Sequence, residues 1–131
     1  MEQGWGLATD GNVIYAVDGT EKIYIIEDPE TFKVTEILQV TLDGKMDNIN
    51  ELEFIDGELW ANVFYEHFIL KINPRNGVVN GVIDMTGLEA KDEYETWMGG
   101  DVLNGIAVWE DRIFVSGKRW NHIYEVKIVP L

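Results

Sequence analysis

The sequence contains no cysteine. Disulfide bonds, thiolate nucleophiles and thiolate zinc sites are therefore excluded, while the redox compartment stays undecided. No run of about 18 apolar residues is present, so we expect no transmembrane helix. The first residues, Met1 to Trp5, include neither a basic segment nor an apolar stretch, and we expect no signal peptide in this chain. These absences leave the localisation open.

Basic residues are also scarce. The chain has 10 lysines and arginines against 24 aspartates and glutamates, which gives a formal net charge of −14 and a pI near 4.3. A field of this sign repels phosphate backbones, so nucleic acid is not an expected partner. The hydrophobic fraction of 46% over 131 residues is typical of a folded globular domain.

What the sequence does contain is an internal repeat of roughly 45 residues. An Asp-Gly turn followed by a short apolar strand occurs at 10–16 and 56–61, and Asp-Arg replaces Asp-Gly at 111–115. An apolar segment recurs at 23–26, 69–72 and 123–126, and an Asp-Pro or Asn-Pro turn recurs at 28–34 and 73–79. Short strands at this period predict an all-β fold of β-propeller blades, each a four-stranded antiparallel sheet.

The repeat predicts one partial β-propeller domain over 1–131, with blades at about 4–45, 46–86 and 100–131. The expected strands are 6–9, 13–17, 23–27 and 34–40, then 52–55, 59–64, 68–72 and 78–84, then 106–108, 113–116 and 123–129. The third blade therefore has only three strands. A closed ring usually needs at least about four blades, and open sheet edges and faces invite another chain. We therefore expect a homo-oligomer or a complementing fragment.

Several polar residues fall at equivalent points of the repeat. Both 47–50 and 101–104 read Asp-x-aliphatic-Asn just before an expected innermost strand, which would place Asn50, Asp101 and Asn104 at one opening of the central channel. An asparagine can offer a ligand both donors and an acceptor, although asparagines more often cap turns. Glu51, two residues from a second glutamate, suggests acid–base chemistry or a calcium or zinc ion in the channel. Chance pairing among 24 acidic residues explains most such pairs.

Five tryptophans are many for this length. Trp60 and Trp109 lie within strand patterns, and we expect both in the core. Trp5, Trp97 and Trp120 lie at strand or loop edges, where an aromatic ring can form the wall of an amphipathic pocket.

Six segments together resemble the glutaminyl cyclases of the plant and bacterial type. They read Gly-Trp-Gly-Leu-Ala-Thr-Asp-Gly at 4–11, Asp-Pro-Glu-Thr-Phe at 28–32, Asn-Glu-Leu-Glu-Phe-Ile-Asp-Gly-Glu at 50–58, Ala-Asn-Val at 61–63, Asp-Val-Leu-Asn-Gly-Ile-Ala at 101–107 and Gly-Lys at 117–118. The resemblance extends over nearly the whole chain, in the family's order and spacing. It corresponds to the C-terminal three blades of the family's five-bladed propeller.

The resemblance implies a glutaminyl-peptide cyclotransferase, an acyltransferase that converts the N-terminal glutamine of a peptide to pyroglutamate and releases ammonia without a required cofactor. It implies that Trp5 forms a wall of the substrate pocket, that Asn50 binds the glutaminyl group and that Lys118 contributes at the pocket. Phe64 stands where the family usually has a further pocket tryptophan. The family's catalytic glutamate lies in an upstream Tyr-Glu-Ser-type segment, so the resemblance assigns no catalytic residue to this chain.

Two functions therefore stay open at this point. The chain is either part of a peptide-cyclising enzyme, or a catalytically inactive propeller-type module that binds or assembles into a homo-oligomeric ring. Ammonia release from a peptide with an N-terminal glutamine distinguishes them.

Overall fold

The computed structural model describes residues 1–89 and 102–131, which form eleven β-strands in three antiparallel sheets. The first sheet contains β1 Gly6–Thr9, β2 Ile14–Val17, β3 Lys22–Ile26 and β4 Val34–Gln39. The second contains β5 Ile49–Ile55, β6 Glu58–Val63, β7 Phe68–Ile72 and β8 Val79–Asp84. The third contains β9 Leu103–Trp109, β10 Arg112–Gly117 and β11 Tyr124–Val126. Within these two described ranges, no helix is long and apolar enough to cross a membrane.

Each sheet is a meander in which sequential strands pair with one another. The tight connection between β5 and β6 consists of Asp56 and Gly57, which both have positive φ, at 49° and 83°. Two-residue hairpin turns of this kind need positive φ because it matches the twist of the flanking strands, and Asp-Gly tolerates it well. The repeated turn motifs therefore produce the expected hairpins.

The sheets also repeat their irregularities. In both β5 and β9 the pairing register shifts near the start of the innermost strand, at Asn50–Glu51 and at Asn104–Gly105. The register shifts again where the third strand pairs with the fourth, at Thr35 in the first sheet and at Asn80 in the second. Bulges change the direction of the side chains beside them. The bulges therefore recur at equivalent positions of the sequence repeat.

The three sheets pack side by side through their faces, with β1 against β5 and β5 against β9. One apolar core lies between the first and second sheets and includes Val17, Leu52 and Leu70. A second core lies between the second and third sheets and includes Trp60, Leu103 and Val115. Burial between neighbouring faces is the dominant stabilising contribution in such a layered arrangement, and it brings the first strand of every sheet to the same side.

Two expectations from the sequence are wrong. The innermost strands begin at Ile49 and Leu103 rather than at Leu52 and Ile106, because the bulges let the pairing continue past Asn50 and Asn104. Trp109 is 61% exposed rather than part of the core. It lies on the face of the third sheet that no other described sheet covers.

Other expectations hold. Trp60 is 6% exposed and lies in the second core, as predicted. The third sheet contains three strands among the described residues, also as predicted. The strands of the three sheets span residues 6–39, 49–84 and 103–126.

Candidate functional site

Trp5, Phe64 and Lys118, which come from three different sheets, meet in one cluster. Trp5 precedes β1, Phe64 follows β6 and Lys118 follows β10. The rings of Trp5 and Phe64 pack edge to face, with their centroids 5.8 Å apart and their planes at 74°. The Nζ atom of Lys118 lies 4.6 Å from the centroid of the Phe64 ring, within range of a cation–π interaction. The structure thus brings together three of the four residues to which the resemblance assigned substrate binding.

Trp5 is fixed by contacts with the first sheet. Its backbone N–H donates to the carbonyl of Val17 at 2.9 Å, and its Nε1–H donates to Oε1 of Gln3 at 3.2 Å. The six-membered part of its ring lies against Gly19, where an added Cβ would sit 2.6 Å from ring carbon Cζ2. Only glycine leaves room for this ring. Trp5 keeps 39% of its surface exposed, so part of the ring is available to a ligand.

Phe64 is held by a loop that joins the first and second sheets. Its N–H donates to the carbonyl of Asn48 at 2.9 Å, and the N–H of Asn48 donates to the carbonyl of Gly19 at 3.1 Å. Asn48 has a φ of 65°, which asparagine adopts more readily than most residues. The same loop therefore orders Phe64 and the glycine beneath Trp5.

Lys118 is placed by the end of β10. Its N–H donates to the carbonyl of Val102 at 2.9 Å, which pairs it with the residue before β9. The preceding residue, Gly117, is covered by the Trp120 ring so closely that a Cβ would clash with it. The charged end of Lys118 therefore extends over Phe64 from a fixed backbone.

A cleft of about 440 Å³ opens beside Trp5. It is lined by Met1, Gly4, Trp5, Gly6, Leu7, Ala16, Phe32 and Glu51. Burial raises the pKa of the Glu51 carboxyl, and the nearby Glu53 carboxylate raises it further, against the lowering effect of the Leu52 N–H. That N–H donates to Oε1 of Glu51 at 3.0 Å. A cleft carboxyl group whose pKa is raised is a candidate for proton exchange with a ligand.

Asn50 lies in the β5 bulge directly before Glu51 and is 7% exposed. Its carbonyl oxygen would be 2.5 Å from a Cβ added to Gly6, so the backbones of β1 and β5 approach closely here. The bulge therefore places Asn50 and Glu51 next to the strand that follows Trp5.

The remaining predicted pocket residues lie elsewhere or outside the described residues. Trp120 packs edge to face on Tyr124 at 6.0 Å. It lines a separate cleft of about 240 Å³ together with His67, Met85, Thr86, Gly87, Leu88 and Glu89. Asn104 is half-buried, and its carbonyl accepts a hydrogen bond from Ser116 Oγ at 3.3 Å. Asp101 and Trp97 lie outside the described residues.

Two residues near the cluster were not predicted as site residues. Tyr65 packs on Phe64 with ring centroids 4.0 Å apart and is 58% exposed. Asn62 is fully buried, and its Oδ1 accepts a hydrogen bond from the N–H of Gly105 on β9 at 3.0 Å. A polar residue between Ala61 and Val63 in an apolar strand was the available signal for Asn62.

No group of three or more histidines, aspartates or glutamates in the described part of the chain is arranged to hold a metal ion. Calcium or zinc in the channel stays a prediction.

Comparison with known proteins decides the family. The family model described as glutamine cyclotransferase matches residues 1–128. The chain belongs to this family. It is 42% identical over 132 residues to the glutaminyl-peptide cyclotransferase of Arabidopsis thaliana, an alignment that covers 98% of this chain and 41% of the relative. The predicted resemblance to glutaminyl cyclases is therefore confirmed.

Solved structures confirm the fold. The crystal structure of Myxococcus xanthus glutaminyl cyclase matches with a TM-score of 0.86 and 33% identity, over 97% of this chain and 56% of that chain. The computationally designed Ika4 protein shares the fold alone, with a TM-score of 0.54 and 12% identity over 97% of this chain and 94% of that one. The all-β, propeller-type architecture is thus as predicted. The chain spans about two-fifths of its curated relative and just over half of the solved cyclase.

Proposed function

We propose that this chain binds the N-terminal glutamine of peptides at the Trp5–Phe64–Lys118 cluster and takes part in its conversion to pyroglutamate. The observation that carries the proposal is the convergence of these three side chains from three sheets in a member of the glutamine cyclotransferase family. Two aromatic rings beside a cation suit a ligand that combines an aliphatic stem with a carboxamide oxygen.

The reaction sets clear demands on such a site. The α-amine of the peptide attacks the side-chain carboxamide of the same residue, a C–N bond forms, and the bond to the amide nitrogen breaks to release ammonia. The amine, with a pKa of about 8, must be neutral to attack. The site must hold the cyclising geometry and stabilise the oxyanion that develops on the carboxamide oxygen.

The cluster can hold the cyclising geometry and can supply part of the oxyanion stabilisation. The Trp5 and Phe64 rings would confine the glutamine side chain, and the buried Asn50 amide would hydrogen-bond the glutaminyl group. The Lys118 ammonium would lie near the developing negative charge. Phe64 supplies an aromatic face where the family usually has a tryptophan, but it has no indole N–H donor.

The proton must move from the amine to the departing nitrogen, and a carboxyl group normally does this. The family's catalytic glutamate has no assigned counterpart in this chain. Loss of a general acid–base group commonly costs about 10² to 10⁴-fold in rate. We therefore expect the isolated chain to bind the peptide with turnover reduced by about that factor.

Calorimetric titration with a short peptide beginning with glutamine, followed by an ammonia-release assay, tests the proposal. The same peptide with an acetylated α-amine is the control ligand for turnover, because it cannot cyclise. Lys118→Met should weaken binding, whereas Lys127→Met, which changes an exposed lysine, should not. Equal affinity of wild type and Lys118→Met would overturn the proposal.

We further propose that the chain associates with a second copy or a complementing fragment through its outward sheet faces. Leu7, Ala16, Tyr24 and Ile37 form one row across the first sheet. Of these, Leu7 is 57% exposed and Ile37 is 53% exposed. Trp109 supplies an exposed apolar side chain on the opposite outer sheet. Exposed apolar faces of this kind favour association.

Sedimentation equilibrium at low and high salt tests this second proposal. The net charge of −14 opposes contact between two copies, so salt should strengthen self-association. Ile37→Lys should weaken it, and Ile123→Lys, at an exposed position that follows β10, is the matched control. A monomer at all salt and protein concentrations, with no partner that binds this face, would contradict the proposal.

A further inference from the structure

The Asn62 side chain joins the second and third sheets next to the candidate site. Its Oδ1 accepts the Gly105 N–H at 3.0 Å, although the two residues are far apart in sequence. Asn62 lies on β6, two residues before Phe64. Gly105 lies in the bulge of β9, which pairs with β10, the strand directly before Lys118. The bond therefore spans the two elements that bring Phe64 and Lys118 together.

The Gly105 end of this bond is tightly defined. Gly105 has a φ of 133°, and a Cβ there would clash with Ser116 Oγ. Ser116 Oγ in turn donates to the carbonyl of Asn104 at 3.3 Å. The β9 bulge and the last residues of β10 thus form one unit immediately before Lys118.

Burial of the Asn62 amide destabilises the fold in one respect. It is 0% exposed, and its Nδ2 atom has no hydrogen-bond partner among the described residues. An unpaired buried donor is destabilising. An aliphatic side chain would remove that donor, but it would leave the Gly105 N–H without its acceptor. The amide at this buried position therefore serves the Gly105 N–H and not packing alone.

We propose that Asn62 is a positioning residue, which through Gly105 sets the distance between the Phe64 ring and the Lys118 ammonium. This inference rests on the proposed function only for its consequence, that the distance determines how an N-terminal glutamine is held. The structural part stands on the hydrogen bond and the cluster geometry.

The Lys118–Phe64 distance can be measured without any peptide. Lysine amines converted to ¹³C-dimethylamines retain their charge, and a methyl group over an aromatic ring resonates upfield of an exposed one. Lys118 lies 4.6 Å from the Phe64 centroid, and Lys71 lies 5.7 Å from the Trp60 centroid. Lys71 and Trp60 both belong to the second sheet, so the Lys71 signal is an internal control. Lys118→Arg and Lys71→Arg assign the two signals.

Asn62→Leu removes the acceptor and keeps the same branching, with two methyl groups in place of the amide oxygen and nitrogen. We expect the Lys118 signal to move at least halfway toward the exposed-lysine position while the Lys71 signal stays in place. Asn62→Asp retains an acceptor and should keep most of the wild-type shift. Ile69→Val is the matched control, because Ile69 is the fully buried cross-strand partner of Asn62. It should leave both signals unchanged.

An unchanged Lys118 signal in Asn62→Leu overturns the proposal. So does an equal movement of the Lys71 signal, or an equal effect of Ile69→Val, because either result means general loosening. If Asn62→Leu does not fold, Asn62→Ala removes the same acceptor without added bulk and is judged by the same criteria.

A peptide beginning with glutamine is added in a second step. Asn62→Leu should then bind it several-fold more weakly than Asn62→Asp does. If wild type does not bind the peptide, the proposed function fails while the result for the Lys118 signal stands.

Discussion

Gly19 provides the sharpest test of how Trp5 is positioned. Gly19→Ala places a Cβ 2.6 Å from the Trp5 ring, so the ring must move. The glycine also has a φ of 86°, which costs a residue with a Cβ about 1–2 kcal/mol. Gly11 is the matched control: its φ is 93°, and an added Cβ would meet nothing within 4 Å. Gly11→Ala therefore carries the backbone cost alone.

The difference between the two variants isolates the ring. Edge-to-face packing of Trp5 on Phe64 is worth about 0.5–1.5 kcal/mol, which corresponds to roughly 2- to 13-fold in an equilibrium constant. Gly11→Ala should lose about 1–2 kcal/mol of unfolding free energy in urea titrations, and Gly19→Ala should lose about 0.5–1.5 kcal/mol more because the ring contact is disturbed as well. Only Gly19→Ala should also weaken peptide binding, because only there is the Trp5 ring displaced. Equal binding by the two alanine variants would refute the claim that Trp5 forms a wall of the site.

Three further predictions concern the groups around the site. Glu51→Gln should raise the melting temperature at pH 7 and leave it unchanged near pH 3. The reason is that a carboxyl whose pKa is raised in the folded state contributes stability below its unfolded pKa and loses that contribution as pH rises through the folded pKa. A lower melting temperature at pH 7 would contradict this. Tyr124→Phe removes the hydroxyl that donates to Glu89 Oε2 at 2.5 Å, a bond that lowers the pKa of Glu89. Amide exchange at 86–89 should therefore accelerate above pH 5, and less so at pH 3, where Glu89 becomes protonated. Unchanged exchange would count against this contact. Dialysis against a chelator should lower the melting temperature if calcium or zinc occupies the channel, and an unchanged melting temperature with no metal in the dialysate would remove that prediction.

The strand pattern could be predicted from the sequence because it depends on local signals. Asp-Gly turns such as Asp56–Gly57 and alternating apolar residues specify hairpins without reference to distant residues. Their recurrence at a fixed period then predicts the propeller-type fold. Bulges were not predictable, because one additional residue in a ladder leaves no local trace. The consequence was a wrong start for β5 and β9, and with it a wrong placement of Asn50 and Asn104 before the strands.

The burial of individual side chains could not be predicted reliably, because it depends on which face of a sheet is covered by a neighbouring sheet. Trp60 and Trp109 lie in similar apolar contexts, yet one is 6% and the other 61% exposed. The difference depends on which face another sheet covers, and a local pattern does not contain that information. The role of Asn62 was hidden for a similar reason, since its partner Gly105 is on another sheet.

The site itself was predicted through the family resemblance rather than through chemistry. Taken singly, Trp5 and Lys118 look like surface residues at strand ends. Their meeting at Phe64 depends on packing between sheets that the sequence does not reveal. The resemblance supplied that long-range information. The position of Trp120 at a strand edge had suggested a place in the pocket, but Trp120 lines a separate cleft.

The most direct measurement is a titration of ¹⁵N-labelled protein with a peptide that begins with glutamine, monitored through the assigned amide and indole resonances. Our account predicts that the largest shifts occur at Trp5, Asn50, Phe64 and Lys118, with little change at Trp120. Shifts centred on Trp120 and the cleft around Glu89, or no saturable shifts at all, would contradict it.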